Sequence, residues 1–212
     1  IRDSIKGVEF THSIDDVIVW IKLKKNFFNL DRDFVIASIY VYPENSTCIE
    51  YDHYQTIQQE ICNLDISAVD HIIIGDGNAR TKLGIDYVEP IDIGSDGPLT
   101  ELLDNNPHHQ ISVYEYLNRI GRLKRNSLDT KPMNAYGQCM LNLCKTSNMF
   151  ILNGRAGESD VGYHTRIETT GCSLVDYLVT TPRAHEKIKH FAVGPKFPES
   201  DHLPLEVTIG NC

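Results

Sequence analysis

The hydrophobic positions near the start of the chain repeat with a period of two. In DVIVWIKLK (16–24), apolar residues alternate with other residues, which is the pattern of a half-buried β-strand. FVIASIYVY (34–42) is a more continuous apolar run, and it stops at Pro43. The Lys and Asn residues between the two runs indicate a turn. These segments therefore predict a β-hairpin.

Further along the chain, apolar residues recur at helical spacing and in short runs. The spacing predicts amphipathic helices over 50–64 and 135–147. The acidic segment 84–104 is rich in Gly and Pro and predicts a loop. Short apolar runs predict strands in HIIIGDGNAR (71–80), where the strand enters a Gly-rich turn, and in MFILN (149–153), SLVDYLVTT (173–181), KHFAVG (189–194) and LPLEVTI (203–209). The few, widely spaced helices predict one α/β (α+β) domain dominated by strands.

Composition places the chain among globular proteins. Of its 212 residues, 41% are hydrophobic and 23% are charged. The sequence has no apolar run long enough for a membrane helix and no hydrophobic segment of a signal peptide at its start. Its six cysteines contain no C-x-x-C pair, which favours thiols in a reducing compartment over a disulfide or zinc site. We expect an intracellular protein, nuclear or cytoplasmic, that is neither secreted nor membrane-bound.

The net charge of −9 argues against binding to nucleic acid through bulk positive charge. It leaves open a nuclease that uses divalent metal ions and a local basic groove. Such a groove has a candidate in Arg119, Arg122, Lys124 and Arg125, whose charges would contact the DNA backbone. The alternative for this cluster is a solvated loop or helix face.

Three segments place polar residues at the ends of predicted strands. Asp76 and Asn78 follow the run of three isoleucines at 72–74. Asp176 lies within SLVDYLVTT, and Asp201 and His202 precede LPLEV. The first and last segments could each be a plain turn or loop. Asp176 is harder to explain in that way, because a buried carboxylate needs a partner. Together these residues could hold a divalent metal, orient a water and stabilise charge on a phosphoryl group.

Several segments, in order, resemble the endonuclease/exonuclease/phosphatase superfamily, which contains DNase I and the apurinic endonucleases, and especially the endonuclease domains of LINE-type retroelements. The resemblance is carried by IASIYVYPENS, HIIIGDGNART, GQCMLNLCKTSNMFILNGR, VGYHTRIETTGCSLVDYLVTT and SDHLPLEV. It implies a DNase I-like four-layer α/β sandwich with two packed mixed β-sheets. It also implies hydrolysis of phosphodiester or phosphomonoester bonds with Mg²⁺ or Mn²⁺, DNA as the substrate, and a reverse transcriptase domain in the full-length protein.

The resemblance also implies roles for the strand-end residues. Asp76 would orient or deprotonate the attacking water, and Asn78 would contact the scissile phosphate. His202 would bind or protonate a phosphate oxygen, while Asp176 would hold its imidazole in place. Asp201 would lie on the metal side of the site.

Two further residues are assigned by the same resemblance. Tyr40 is the best match for a tyrosine that approaches the phosphate, although its spacing to Pro43 is one residue longer than in the apurinic enzymes. Arg80, in the N-A-R-T segment, joins the predicted nucleic-acid-binding residues.

The sequence departs from the family pattern at two places. The family has a metal-binding Glu and a catalytic Asn on strands that precede the hairpin, and Glu9, the lone acid of residues 4–14, does not match the Glu. We therefore expect residues 1–212 to form a domain that lacks its N-terminal strands, with exposed sheet edges and little Mg²⁺-dependent nicking by this chain alone. Gly77 stands where the family has a bulky apolar residue, which predicts a loosened turn.

Three interpretations remain open from the sequence. The chain is an incomplete metal-dependent endonuclease, an inactive remnant or interaction module of the same fold, or a phosphatase that acts on lipid or nucleotide phosphates. The N-A-R-T and N-G-R segments favour nucleic acid over the phosphatase substrates. Because no residue matches the family's metal-binding Glu, an inactive domain is favoured for this polypeptide.

Overall fold

The chain is described by a computed structural model that covers residues 5–14, 16–44, 46, 52–65, 68–90, 111–155 and 160–210. Most of the predicted acidic loop, residues 91–104, and the start of the predicted helix at residues 50 and 51 lie outside the described residues. The helices are α1 (Lys25–Phe28), α2 (His53–Asn63), α3 (Val113–Arg119), α4 (Ala135–Thr146) and α5 (Pro182–His185). The strands are β1 (Val8–Ile14), β2 (Ile18–Leu23), β3 (Asp33–Tyr40), β4 (Val69–Asp76), β5 (Phe150–Ile151), β6 (Arg166–Glu168), β7 (Gly171–Ser173), β8 (Asp176–Thr180), β9 (Ile188–Val193) and β10 (Leu205–Ile209).

A mixed six-stranded sheet organises the structure. Its strand order is β1-β2-β3-β4-β8-β5, in which β3 and β4 are parallel and the other neighbours are antiparallel. The predicted hairpin is confirmed as β2–β3, with the short helix α1 in its connection. Because side chains alternate along a strand, the sheet presents two apolar faces that need separate cover.

The first face of the sheet packs against helices α2 and α4. Both helices were predicted from their apolar spacing, and both turn that spacing toward the sheet. The resulting core joins sheet residues to helix residues and includes Trp20, Ala37, Ile73, Tyr177, Val179, Ile57, Ile61, Met140 and Leu143. This helix layer lies directly beneath the ends of the central strands.

The second face packs against the antiparallel β9–β10 sheet and helix α3. Its core includes Phe34, Ile72, Leu178, Phe191 and Leu117. The predicted sandwich of two packed sheets with an outer helix layer is therefore observed, although the smaller sheet is antiparallel rather than mixed. The loop before β10 brings His202 to the end of the large sheet that carries Asp76 and Asp176. The space between these three side chains is called the crevice below.

Strand β1 was not predicted from the sequence. It pairs with β2 at the edge of the large sheet, and most of its side chains are exposed. An exposed edge strand has no buried face to impose an alternation of apolar and polar residues, so the period-two pattern is absent. None of the helices in the described ranges is both long and apolar enough to cross a bilayer.

His71 in β4 generates a prediction about acid stability. Both of its ring nitrogens are buried and lack a hydrogen-bond partner within the described part of the chain. Burial, followed by the positive charge of Arg183, lowers the pKa of His71 from 6.5 to about 4, against an opposing effect of Asp70. The neutral ring is thus favoured in the folded state, whereas the unfolded chain takes up the proton below its higher pKa.

The free energy of unfolding should therefore fall as the pH decreases from about 6.5 to about 4, by up to about 3 kcal/mol from this residue. We expect His71→Val to flatten this part of the profile, measured as the urea unfolding free energy at a series of pH values for both proteins. Other titrating groups are common to the two chains and cancel in the difference. Parallel profiles would show that His71 does not carry the effect.

Candidate active site

Strand register places three predicted site residues in one row. Tyr40 at the end of β3 pairs with Asp76 at the end of β4, and Asp76 pairs with Asp176 at the start of β8. Paired residues on neighbouring strands point to the same side of a sheet. The row therefore lies on the face that carries the β9–β10 sheet, at the edge of the crevice.

His202 completes this row from the loop before β10. Its Nδ1 lies 3.0 Å from both carboxylate oxygens of Asp176, and its Nε2 lies 3.9 Å from Oδ2 of Asp76. The hydrogen bond to Asp176, together with the negative charge of the neighbouring carboxylates, raises the pKa of His202. The imidazole is thus held at one nitrogen by Asp176, while the other nitrogen faces Asp76.

Asp76 carries negative charge that its neighbours compensate only in part. Its carboxylate is buried, and burial followed by the charge of Asp176 raises its pKa from 3.8 to about 6. The backbone N–H of Asn78 and the charges of His202 and Arg166 oppose this shift. Two adjacent carboxylates in a partly buried crevice favour the binding of a cation.

These residues suit a hard divalent cation. Asp76, Asp176 and His202 each offer one ligand atom, and the three atoms lie within 4.8 Å of one another. Mg²⁺ prefers oxygen ligands and is commonly bound by one or two carboxylates together with substrate phosphates. The donor set and the uncompensated charge at Asp76 therefore fit the predicted metal.

Asn78 lies directly against the Asp76 carboxylate. Its backbone is left-handed, with φ of 45°, and its N–H donates to Oδ1 of Asp76 at 2.7 Å. Its side-chain amide donates to the Val41 carbonyl at 2.6 Å and to Oδ2 of Asp76 at 3.1 Å. The G-D-G-N segment is thus a turn, as its composition indicates, and it also fixes the orientation of a carboxylate.

Asn134, at the N-terminus of α4, holds the far side of this turn. Its Nδ2 donates to the Asn78 carbonyl at 3.0 Å, and its Oδ1 accepts from the backbone N–H of Arg80 at 2.7 Å. The same Oδ1 caps helix α4 by accepting from Gly137 at 2.8 Å. One side chain therefore ties the turn to the helix layer.

Gly77 lacks a side chain, but hydrogen bonds anchor its backbone on both sides, and the expected loosening of the turn stays a prediction. The Gly77 N–H donates to the Val175 carbonyl at 3.0 Å, and the Gly77 carbonyl accepts from the Tyr54 hydroxyl at 2.7 Å. Two residues further along, the Ala79 carbonyl accepts from the Tyr177 hydroxyl at 2.8 Å. Hydrogen bonds from two buried tyrosines replace the anchoring that a bulky side chain would give.

Thr165 joins the His202 loop to strand β8. Its buried Oγ1 accepts from the backbone N–H groups of Val175 at 3.1 Å and Asp176 at 2.9 Å. Its carbonyl accepts from the N–H of Leu203 at 2.7 Å. Thr165 therefore sets the position of Asp176 and, through the adjacent residue 203, that of His202.

Asp201, the predicted metal ligand, faces away from the carboxylate pair toward Arg166. Oδ2 of Asp201 accepts from Nε of Arg166 at 2.8 Å, and Arg166 also pairs with Glu168. The hydrogen bond from Arg166 lowers the pKa of Asp201. Asp201 is not part of the three-residue group formed by the described residues, so its metal role stays a prediction.

The predicted basic cluster has three exposed members rather than four. Arg119, Arg122 and Lys124 are exposed, and Arg119 lies 3.8 Å from Glu186. Arg125 is buried, which corrects its assignment to a surface that contacts DNA. Its guanidinium donates to Thr81 Oγ1 at 3.1 Å and to the Gly84 carbonyl at 3.0 Å, and it lies 3.8 Å from the buried Asp86 carboxylate. Arg80, which follows the turn, is half-buried.

The N-G-R segment is part of the internal framework. Arg155 is buried and binds both carboxylate oxygens of Asp86, at 2.6 and 2.7 Å. Asn153 donates to the Asp176 carbonyl at 3.2 Å and accepts from the Leu178 N–H at 2.9 Å. Asn153 therefore supports the strand that carries Asp176, whereas Arg155 holds Asp86 in the interior, and neither buried side chain is available to a ligand.

Sequence reasoning missed four residues that shape the site: Tyr54, Asn134, Thr165 and Arg166. Asn134 could have been found as a helix N-cap, since Asn commonly precedes the first turn of a helix. The other three act through contacts between segments far apart in the chain, and local sequence patterns contain no sign of such contacts.

Comparison with known proteins identifies the fold. Neither a protein-family model nor a curated protein matches the chain. The endonuclease domain of TRAS1, a telomere-specific non-LTR retrotransposon, superposes with a TM-score of 0.54 and 14% identity, over 96% of the chain and 66% of that domain. The chain has the DNase I-like fold. It spans 66% of the length of the TRAS1 domain, just under two thirds.

Two other solved structures resemble the chain less closely. The 3'-5' exonuclease NExo from Neisseria meningitidis matches with a TM-score of 0.45 and 13% identity, over 96% of the chain and 70% of NExo. An endonuclease/exonuclease/phosphatase family protein from Leptotrichia buccalis matches with a TM-score of 0.42 and 17% identity, over 91% of the chain and 52% of that protein. The DNase I-like prediction is confirmed at the level of the fold by the TRAS1 superposition.

The Thr165 contacts predict a specific loss of stability. In Thr165→Val the side chain keeps its shape but loses the oxygen that accepts from Val175 and Asp176, so two backbone N–H groups are left buried and unsatisfied. We expect the free energy of unfolding, measured by urea denaturation, to fall by about 2–4 kcal/mol. Thr165→Ser retains the oxygen and is the matched control. Equal losses in the two variants would show that packing of the methyl group, not the hydroxyl, matters.

Proposed function

We propose that this chain carries the site of a metal-dependent phosphodiesterase that cleaves DNA, an endonuclease of the retroelement type. The observation that supports this most is the convergence of Asp76, Asp176 and His202, from three separate segments, beside the Asn78 amide. This set combines a charged donor, carboxylate acceptors and an amide within one crevice. Phosphodiester hydrolysis needs those groups together, because the substrate is an anion that repels nucleophiles.

His202 is assigned to the phosphate. Asp176 accepts from Nδ1 and fixes the ring and its tautomer, which leaves Nε2 to donate to a phosphate oxygen. Both N–H groups of the Asn78 amide already donate, to Val41 and to Asp76, so Asn78 is assigned to the orientation of Asp76 and not to the phosphate. The hydroxyl of Tyr40, a residue that is 45% exposed, borders the same row. These donors would stabilise negative charge as it develops on the phosphoryl group.

Asp76 is assigned to the attacking water. Its two oxygens already accept from Asn78, and that contact aims the carboxylate into the crevice. Oxygens of Asp76 and Asp176 would hold Mg²⁺ or Mn²⁺, which would supply positive charge against the phosphodiester, and Asp201 would contribute only by releasing its contact with Arg166. Asp76 would then orient the water and accept its proton.

The choice of DNA and of the retroelement type rests on the TRAS1 likeness and on the exposed basic residues. The matched TRAS1 structure is the endonuclease domain of a non-LTR retrotransposon. Arg80 and the exposed residues Arg119, Arg122 and Lys124 would contact the phosphate backbone, whose charge supplies most non-specific affinity. In the full-length protein we propose an associated reverse transcriptase, with residues 1–212 belonging to one domain.

A non-catalytic module of the same fold is the second candidate. Glu9, the lone acid of residues 4–14, lies in β1 at the far edge of the sheet, three strands away from Asp76. It faces Lys24 at 3.4 Å and does not join the carboxylate group. Within the described ranges, the metal would therefore have fewer protein ligands than the resemblance implies, which favours slow or absent hydrolysis.

Nicking of supercoiled plasmid by the purified chain distinguishes the two candidates. With Mg²⁺ or Mn²⁺ we expect slow nicking that is abolished by EDTA and reduced at least about a hundredfold in His202→Ala, because one charged donor to the phosphate is lost. His190→Ala, which removes a half-buried histidine of β9, is the matched control and should leave the rate unchanged. A phosphomonoester substrate tested in parallel should be hydrolysed more slowly than the plasmid.

Three outcomes would contradict the proposal. Nicking that persists in His202→Ala would assign the activity to another site or to a contaminant. No nicking with either metal would favour the non-catalytic module. Faster hydrolysis of the phosphomonoester would instead favour a phosphatase.

A further inference from the structure

Gly77 separates the two functional residues of the G-D-G-N turn and faces the opposite side of the sheet. Asp76 points into the crevice, as its pairing with Asp176 requires. Because side chains alternate along the strand, the next position points toward the helix layer. Residue 77 is therefore the place where the helices can act on the turn without touching a substrate.

The space at this position is already filled by two helix residues. A Cβ atom added to Gly77 would lie 2.8 Å from Cε of Met140 in α4 and 2.9 Å from the hydroxyl oxygen of Tyr54 in α2. Both distances are too short for ordinary contact. The absence of a side chain at Gly77 is thus what allows the Tyr54 hydroxyl to reach the backbone.

The Tyr54 hydroxyl acts on the peptide group that touches Asp76. It donates to the Gly77 carbonyl at 2.7 Å, and the N–H of the same peptide group, that of Asn78, donates to Oδ1 of Asp76 at 2.7 Å. A peptide group is planar, so fixing its carbonyl also fixes the direction of its N–H. Hydrogen bonds in such a chain polarise one another and strengthen the final bond to the carboxylate.

Tyr54 is itself held firmly. It is 5% exposed, and its ring packs against Tyr136 with centroids 5.6 Å apart. Burial, together with nearby groups that include Asp76, raises its pKa well above the usual value of 10, so the hydroxyl keeps its proton and remains a donor. The tyrosine is a fixed donor in an apolar layer.

We propose that Tyr54 is a positioning residue of the site: its hydroxyl, admitted by the missing side chain of Gly77, fixes the Gly77–Asn78 peptide that aims the Asp76 carboxylate. Its effect on catalysis rests on the proposed function, whereas its effect on the peptide does not. Tyr54 and Gly77 then form a matched pair, in which each residue requires the other.

Isotope labelling can observe this one peptide. Gly–Asn occurs only at 77–78 and 210–211 in the sequence, so ¹³C-carbonyl glycine with ¹⁵N asparagine marks two amide signals, one of them an internal reference. We expect Tyr54→Phe to shift the Asn78 amide signal upfield and leave the Asn211 signal in place. Tyr136→Phe, which removes the hydroxyl of the neighbouring ring, should shift neither signal. An unchanged Asn78 signal in Tyr54→Phe would overturn the proposal.

Kinetics test the consequence for the site. We expect Tyr54→Phe to lower kcat for DNA cleavage about tenfold with KM nearly unchanged, because the loss concerns the aim of Asp76 and not the binding of DNA. Tyr136→Phe should retain both constants. A shifted Asn78 signal with an unchanged kcat would overturn the positioning role. If the unaltered chain does not cleave DNA, the proposed function fails, and the NMR comparison alone decides whether Tyr54 fixes the peptide.

A double-mutant comparison tests the matched pair through stability. Gly77→Ala should lower the urea unfolding midpoint, because its Cβ meets the Tyr54 hydroxyl. The same substitution in Tyr54→Phe should lower the midpoint by a smaller amount, since one of the two close contacts is gone. Equal effects in the two backgrounds would show that Gly77 and Tyr54 are not coupled.

Discussion

The pairing of Asp76 with Asp176 across β4 and β8 is the constraint on which the rest of the site depends. This register sets two carboxylates side by side in a partly buried crevice, where their repulsion and desolvation oppose folding. Three features around the pair offset that cost: the N–H of Asn78 on one carboxylate, the imidazole of His202 on the other, and the nearby charge of Arg166. In the function proposed above, the same arrangement would hold a divalent cation and, through His202, would bind a phosphate.

The two layers around the large sheet hold the pair from opposite sides. On the helix side, Asn134 and Tyr54 bind successive carbonyls of the turn after β4, so the position of Asp76 follows from the packing of α2 and α4. On the crevice side, Thr165 binds the start of β8 and the loop that carries His202. Residues that never touch a substrate thereby determine the distances within the site, as supporting contacts do in other functional sites.

The strands and the polar residues at their ends could be predicted from the sequence because both are local patterns. Asp76, Asn78, Asp176 and His202 stand where apolar runs stop or are interrupted, and strand pairing then brings them together. What could not be predicted depends on contacts between distant segments. Arg125 was assigned to the surface because its charge is visible in the sequence, whereas its burial against Asp86 is not. Gly77 was expected to weaken the turn because it has no side chain. The sequence gives no sign that the Tyr54 hydroxyl of helix α2 binds the Gly77 carbonyl.

The fold holds the Asp76 carboxylate in place against an electrostatic cost, and the thermal stability of Asp76→Asn in metal-free buffer measures that cost. Because the pKa of Asp76 rises from 3.8 to about 6 on folding, its ionised form is disfavoured in the folded state, by about 3 kcal/mol above pH 6. We expect Asp76→Asn to melt at a higher temperature than the unaltered chain at pH 8, and we expect this gain to shrink as the pH is lowered toward 4. A lower melting temperature of Asp76→Asn at pH 8 would show that the ionised carboxylate stabilises the fold instead.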